Sequence, residues 1–450
     1  MIDIRQFFQA TNPSRTLNLQ KPEDQKLYID FSSVRGEDII DELKNNITFF
    51  SPENPTCVLF TGHIGCGKST ELLRLKAELE QEEYHVVYFE SSEDMELADV
   101  DIGDVLLAIA RRVSQSLETL NLVDPRGLKG ILQGAAQLLM TEIELNAEAE
   151  FMGLGVSGNT DGEFSLSAGI GKITARAKND ATLRDRLNQY LGPQKNQLLD
   201  AINNELLKPA IAQLKAQGKA GLVVIVDNLD RIDNRPKAFG RPQQEYLFID
   251  QHECLIKLHC HKVYTLPLAL KFSAEYALLT QRFPEDPKVL PMVPVQFQSG
   301  DQCKPGLALL RRMVLVRALP EGTDAERDAI VAEMFDSPAS LDRLCTVSGG
   351  HVRDLLRLLY DWIKKCRKFP LTADRLEAVV RSRRNEMTMH IDDEEWEMLR
   401  QVRVRKKVSG DRDYQTLIRS RLVFEYRNQG ESWFDVNPIL LDAPELAETL

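Results

Sequence analysis

Between residues 57 and 76 the chain reads Cys57-Val58-Leu59-Phe60-Thr61, then Gly62-His63-Ile64-Gly65-Cys66-Gly67-Lys68-Ser69, then Thr70 and a segment with Leu72, Leu73 and Leu75. An apolar run of strand length, a full match to GxxxxGK[ST] and a helical pattern follow one another directly. Gly62, Gly65 and Gly67 allow backbone angles closed to other residues, so successive N–H groups can converge on one anion. The helix beginning near Lys68 adds the positive end of its dipole. This is the chemistry of a triphosphate cradle. Residues 62–70, including His63, Ile64 and Cys66, are expected to wrap the phosphates. Lys68 is expected to reach the β- and γ-phosphates, Ser69 to offer its hydroxyl to Mg²⁺, and Thr70 to lie by the α-phosphate.

A second apolar run, Gly221-Leu222-Val223-Val224-Ile225-Val226, leads into Asp227-Asn228-Leu229-Asp230-Arg231. It fits a central parallel strand buried on both faces. Its carboxylate emerges at the strand's C-terminal edge, where open α/β sheets bind ligands. Asp227 is expected to hold Mg²⁺ through water. Asp230 is expected to polarise the attacking water, because Asn228, next after Asp227, has no basic carboxylate. A cap or an ion pair with Arg231 is the competing role for Asp230. Further strands are expected at 85–89, 262–267 and 288–295. Thr265 either senses the γ-phosphate from a strand end or is a satisfied strand hydroxyl. Arg282 either acts as an arginine finger across a subunit interface, offsetting charge on the γ-phosphate, or forms a surface salt bridge.

At 450 residues the chain has room for about two or three domains. Its net charge of −12 excludes a global basic field, so any nucleic-acid binding has to come from a local patch. No run of about 18 apolar residues occurs, so no transmembrane helix is expected. The N-terminus has no signal-peptide layout. Cysteines scattered through so long a chain suit a reducing cytoplasm better than a disulfide framework. A cytoplasmic protein is therefore expected. His252, Cys254, His259, Cys260 and His261 crowd together without paired CxxC units, which predicts ordinary packing rather than a metal site.

The remaining segments frame these anchors. Ile29, Val34 and Arg35 precede the loop strand and are candidates for an adenine pocket or for plain N-terminal packing; an amphipathic helix with Ile39, Ile40, Leu43 and Ile47 follows them. Residues 142–178 alternate polar and apolar between turns at Gly153, Gly155, Gly158 and Gly162. That predicts a β-hairpin inserted between helices, serving either as a partner contact or as a decoration. Helices are expected at 182–191 and 195–217. Beyond about 303 the pattern turns helical, at 307–316, 324–335 and 338–346. Then comes Ser348-Gly349-Gly350-His351-Val352-Arg353, a Gly-Gly turn opening a helix. Arg353, with His351 as the fallback, is the candidate to touch the nucleotide from a helical lid. Residues 391–440 offer two helices followed by two strands, the pattern of a winged helix. Its helical part carries Arg400, Arg403, Arg405, Lys406, Lys407, Arg412, Arg419 and Arg421, suited either to DNA phosphates or to docking on acidic protein surface.

In this order the segments resemble the AAA+-related P-loop ATPases, and within them the STAND ATPases and the replication-initiator ATPases of the origin-recognition type. The resemblance implies an α/β fold: a P-loop NTPase parallel-sheet core over 1–300 with the insert at 142–178, a helical lid over 301–388 and a winged-helix domain over 389–450. Asp227-Asn228-Leu229-Asp230 is similar to the STAND pattern of two acids three apart. It departs from the Asp-Glu pair of standard AAA+ enzymes, which implies slow turnover. Val34-Arg35-Gly36-Glu37 resembles the adenine-side motif of both groups. Gly349-Gly350-His351-Val352-Arg353 looks like the initiators' sensor-2 element, or a STAND lid turn with an arginine added. No long repeat sensor of the STAND kind is visible, so the sensor is missing or supplied by another protein. The resemblance implies a switch that binds ATP and Mg²⁺, hydrolyses ATP to ADP, and controls a homo-oligomer or an effector protein, in bacterial signalling or defence against phage. A DNA-binding initiator or loader, and a weakly hydrolysing scaffold, are the alternative readings.

Overall fold

The computed structural model describes residues 2–118, 125–139, 166–409, 412–428 and 430–447. At its centre lies a five-stranded sheet whose strands all pair in parallel. In chain order the strands are β1 (Cys57–Gly62), β2 (His85–Glu90), β3 (Leu222–Asp227), β4 (His261–Leu266) and β5 (Lys288–Leu290). In space they run β2-β3-β4-β1-β5, so β4 separates the loop strand β1 from the acidic strand β3. Phe60 pairs with Thr265 and Val226 with Tyr264, which brings the carboxyl ends of β1, β4 and β3 nearly level. β5 is shorter than the expected 288–295 because Pro291 and Pro294 have no N–H to give to a ladder.

Period-two alternation divides each strand between two layers. On one face Leu59, Phe89, Val224, Val226 and Tyr264 pack into a cluster with the helices that join β2 to β3. On the other, Phe60, Val86, Val223 and Ile225 meet Leu72, Leu75 and Leu79 of α1 (Lys68–Gln81). Among the joining helices are α2 (Ile102–Ser116), α3 (Arg126–Leu139), α4 (Leu166–Asn179) and α5 (Ala181–Ala201).

Two expectations fail here. The inserted hairpin was expected to run to 178, but its second part is the helix α4. Leu166, Ile170, Ile173 and Ala177 are buried, and steps of three and four residues define a helix face that outweighs the short alternating runs. The first part of that hairpin lies outside the described residues. The break expected between 191 and 195 is also absent, because α5 continues through Pro193. That proline sits on the exposed side, where a carbonyl deprived of its donor can meet solvent.

The helical region contains α6 (Lys304–Ala318), α7 (Pro338–Val347), α8 (Val352–Cys366) and α9 (Ala373–Thr388). Between α6 and α7, the single helix expected at 324–335 is split into Asp324–Ala329 and Val331–Met334. The C-terminal unit has α10 (Asp393–Arg405), α11 (Arg412–Arg419) and an antiparallel hairpin of β6 (Val423–Asn428) and β7 (Glu431–Val436). Its helices share a core with the helical region and with Phe7. Its hairpin does something different. Phe424, Tyr426 and Trp433 bury their rings in the same cluster as α1 and the sheet. Burial of this kind contributes roughly 1.5–3 kcal/mol per large apolar side chain, so the hairpin is anchored to the wall of the core. Among the described residues no helix is long and apolar enough to cross a membrane. No group of three or more His, Cys, Asp or Glu there is placed to hold a metal ion by itself.

Candidate functional site

The loop between β1 and α1 is folded around its lysine. Lys68 is buried, and its Nζ donates to the carbonyls of Gly62 at 2.7 Å and His63 at 3.0 Å. The same ammonium pairs with Asp230 Oδ2 at 2.9 Å. Burial opposes its charge, but the neighbouring carboxylates of Asp230 and Asp227 hold its pKa above the ordinary lysine value. Asp227 ends β3 and is almost fully buried. Its Oδ2 accepts from the Tyr88 hydroxyl at 2.8 Å and its Oδ1 from the Asn228 amide at 2.7 Å. The Ser69 side chain is also hydrogen-bonded to it. Burial first, and Asp230 second, push the Asp227 pKa up. Glu90 lies directly across the ladder from Asp227, and its pKa is raised by burial and then by Asp227. Asp230 Oδ1 is buried and has no partner among the described residues. Asp230 thus pairs with the ammonium and Asp227 lies close to it. The Asp227 carboxylate with the Ser69 hydroxyl is a donor pair of the kind that holds a divalent cation together with a bound phosphate.

The adjoining cavity has the opposite character. Gly65, Gly67, Lys68, Ser69 and Thr70 line it from the loop, with Ile64 at its edge. Asn228, Asp230 and Arg231 line it from the end of β3, and Val352, Arg353 and Leu356 from α8. A side chain placed at Gly67 would meet nothing within 4 Å, so the loop backbone there faces open space. The Arg353 pKa is lowered by burial and then by the nearby guanidinium groups of Arg231, Arg421 and Arg357. Cations, amides and a helix N-terminus held at one opening favour a polyanion.

Sequence reasoning overlooked part of this lining. Residues 13–16, Pro13-Ser14-Arg15-Thr16, form a strap across the cavity. Tyr88, Asn228 and Arg231 complete its acidic end. A tyrosine two residues before the end of β2 was the available signal for the first of these; nothing local marks the strap.

The remaining candidates are placed as follows. Thr265 is fully buried, and its Oγ1 donates to the Val226 carbonyl and accepts from the Asp230 amide, both at 3.4 Å. It is a strand hydroxyl that positions Asp230. Gly62 and His63 line a second cavity, which shares Ile64, Asp230 and Arg231 with the first. The Cys66 amide closes a turn on the His63 carbonyl at 3.1 Å, and its thiol is buried against Leu290. Arg35 does not line the first cavity and braces the loop from behind. Its guanidinium donates to the Cys66 carbonyl at 2.8 Å and faces Glu71 at 3.7 Å, because the short helix Ser32–Arg35 turns it inward. Neither Ile29 nor Val34 lines the cavity. Arg282 is also elsewhere. The helix Tyr276–Arg282 points its guanidinium to the Ile249 carbonyl and Asp250 of the same chain.

The loop is held from outside at successive residues. His63 Nε2 accepts the Glu425 amide of β6 at 3.0 Å. The Ile64 carbonyl accepts from His351 Nε2 at 2.9 Å, and the Gly65 carbonyl from the Arg353 amide at 3.1 Å. Phe424 stacks on His351 at 5.7 Å and meets His63 edge-on at 5.4 Å. Tyr426 donates its hydroxyl to the Gly349 carbonyl at 2.9 Å. The loop, the turn at Gly349 and Gly350, and the C-terminal hairpin therefore form one joint.

That joint requires neutral imidazoles. The acceptor role of His63 Nε2 places its proton on Nδ1. Burial, followed by His351 and Lys68, keeps the His63 pKa well below 6.5. The unfolded chain takes up this proton below about pH 6.5, while the folded chain refuses it. Stability present at pH 7 is therefore lost as pH falls, by about 1.4 kcal/mol per pH unit for each such group. Urea melts between pH 7 and 5 should show that slope reduced by about one proton in His63→Gln, whose amide oxygen can still accept from Glu425. An unchanged slope would remove His63 from the account.

Residues 37–237 match the model of the KAP family P-loop domain, a stretch that takes in both the loop and Asp227 to Asp230. Over that stretch the chain is similar to that family. Comparison with curated proteins finds no match. Among solved structures, the Walker-type ATPase paby2304 of Pyrococcus abyssi aligns at 11% identity and a TM-score of 0.42, covering 97% of this chain and 99% of its own. The Aeropyrum pernix ORC2 protein aligns at 11% identity and a TM-score of 0.43, covering 98% and 95%. Cdc6p from Pyrobaculum aerophilum aligns at 10% identity and a TM-score of 0.36, covering 98% and 96%.

Proposed function

We propose that this chain, an α/β P-loop NTPase similar over residues 37–237 to the KAP family P-loop domain, binds ATP, hydrolyses it slowly to ADP, and uses its nucleotide state as a switch. The observation that carries this reading is the cavity shared by Gly67, Lys68, Ser69, Thr70, Asp230 and Arg353, with Asp227 hydrogen-bonded to Ser69. Loop amides, Lys68 and Arg353 suit a triphosphate. Ser69 and Asp227 are the residues that would hold Mg²⁺, whose charge offsets that of the phosphates. Asp230 takes a proton from the attacking water. Arg353 reaches the cavity from α8, whose first turn is bonded to the loop, so nucleotide contacts bias how the helical region sits on the core. What the switch governs is self-assembly into a homo-oligomer or an effector protein.

A second reading, a DNA-binding ATPase, is favoured by one feature of the C-terminal unit. Arg400, Lys406 and Arg421 are turned to Glu397, Asp435 and Asp354 of the same chain. Arg403, Arg405 and Lys407 are exposed and form no ion pair among the described residues. Three free cations on one helix end suit backbone phosphates.

One experiment tests both. Calorimetry should detect ATP uptake. Sizing with a nonhydrolysable ATP analogue should give a larger or more compact species than with ADP. DNA that co-elutes at low salt and dissociates on neutralising Arg403, Arg405 and Lys407 would select the second reading. Absence of nucleotide uptake by folded protein would overturn both.

A further inference from the structure

We infer that Gln244 positions the water that attacks the γ-phosphate. The inference rests on the ATPase reading above. It comes from the second cavity, about 150 Å³, which shares Ile64, Asp230 and Arg231 with the cavity lined by Ser69 and Thr70. His63, Asp230, Gln244, Pro267, Ile418 and Arg419 are among its lining residues. At about 30 Å³ per molecule, the space takes a few waters.

Two residues of this lining each carry a buried acceptor that lacks a donor. Asp230 Oδ1 and Gln244 Oε1 have no hydrogen-bond partner among the described residues, although Asp230 is only 7% exposed and Gln244 only 4%. A buried acceptor left without a donor is costly, so each calls for a donor from a bound molecule. Both are held in place. Lys68 occupies Asp230 Oδ2, which leaves Oδ1 free. Gln244 gives its Nε2 to the Ile232 carbonyl at 2.8 Å, which fixes the orientation of the amide and leaves Oε1 as the open end. The next residue back, Gln243, is bonded to Val100, Leu97 and Asp233, so the segment carrying Gln244 is stitched to its surroundings.

A water has two O–H groups and these are two acceptors. With one O–H on Asp230 Oδ1 and the other on Gln244 Oε1, a lone pair of the water oxygen is left for phosphorus. Orientation of an attacking water by a glutamine is established chemistry for phosphoryl transfer. In the step, the water oxygen bonds to the γ-phosphorus and the bond from phosphorus to the β,γ-bridging oxygen breaks. ADP leaves with that electron pair. One water proton passes to Asp230 and then to solvent, and the other remains on the phosphate. Gln244 takes no proton, which makes it a water-positioning residue.

The test is steady-state hydrolysis together with calorimetric binding of a nonhydrolysable ATP analogue. Gln244→Leu should lower kcat by about 10²-fold, with KM and analogue affinity within about twofold of wild type. Gln244→Glu restores an acceptor but loses the donation to the Ile232 carbonyl, so it should recover part of the lost kcat and add an ionisation to the pH–rate profile. A kcat for Gln244→Leu within twofold of wild type overturns the inference. So does a loss of kcat matched by equal loss of analogue affinity and not recovered by glutamate. If Lys68→Ala abolishes analogue binding while Gln244→Leu turns over normally, the ATPase reading stands and only this inference falls. If the wild-type protein takes up no nucleotide, both fall.

Discussion

Replacing Lys68 with alanine is expected to abolish ATP uptake and lower turnover by at least about 10²–10³-fold, and to destabilise the protein as well. The first effect follows from the removal of the loop's one ammonium. The second follows from what it leaves behind. Asp230 is buried, its Oδ2 is paired with Lys68 and its Oδ1 has no partner among the described residues. Breaking a buried pair on one side costs about 3–5 kcal/mol, because a charge remains without compensation. Asp230→Asn in the alanine background should therefore restore much of the stability and none of the turnover. Calorimetry, urea melts and phosphate release on the single and double variants separate the two contributions. Uptake or turnover that survives in Lys68→Ala would remove the basis of the functional reading. Asp230→Asn alone should keep nucleotide binding and lose turnover. Unchanged turnover there would take the proton-accepting role away from Asp230.

The second large effect is structural. Gly350 sits in the lid turn at φ +74°, and a Cβ there would lie 1.7 Å from the backbone carbonyl oxygen of Val293. Val293 is fully buried, so neither side can yield cheaply. Gly350→Ala should lose about 3–5 kcal/mol or fail to fold, well beyond the roughly 1 kcal/mol of a left-handed alanine. Gly430→Ala provides the control. Its φ is +82°, but nothing lies within 4 Å of the added carbon, so only the backbone term applies. Denaturant midpoints for the two variants measure the difference. Equal losses would mean that the lid turn does not press on Val293 in solution. A surviving Gly350→Ala protein should also bind ATP more weakly, since displacing this turn pulls His351 and Arg353 from the loop carbonyls.

How much of this was legible in the sequence depends on the range of the interaction. The strand, loop and first helix around Lys68 are local, and their residue types suffice to specify them. The same holds for the apolar run that ends at Asp227. The order of strands was not legible, because an apolar run does not say which neighbour it pairs with; β4 lies between β1 and β3. The place of Arg35 before the loop strand fits either an adenine pocket or plain N-terminal packing. Its inward turn against Cys66 and Glu71 depends on packing that no local pattern records. Within one chain Arg282 bonds the Ile249 carbonyl and pairs with Asp250, and a role across a subunit interface depends on a second copy that no local pattern records. Residues 166–178 misled because small residues and glycines soften the contrast between a period of two and one of 3.6. The strap at residues 13–16 has composition typical of any turn, and only the tertiary arrangement brings it over the cavity.

The hydrogen bond from the Glu425 amide to His63 has a consequence for how this chain tolerates change. Position 63 is variable in the loop motif itself, yet here its imidazole answers to a residue 362 places later in the chain. A histidine that is free by the rules of the motif is thereby tied to its distant neighbours, and Phe424 and His351 with it. Drift in the hairpin is inherited by the phosphate cradle. Divergent versions of this chain are expected to exchange residues 63, 351, 424 and 425 as a set, the way a lock and its key are replaced together.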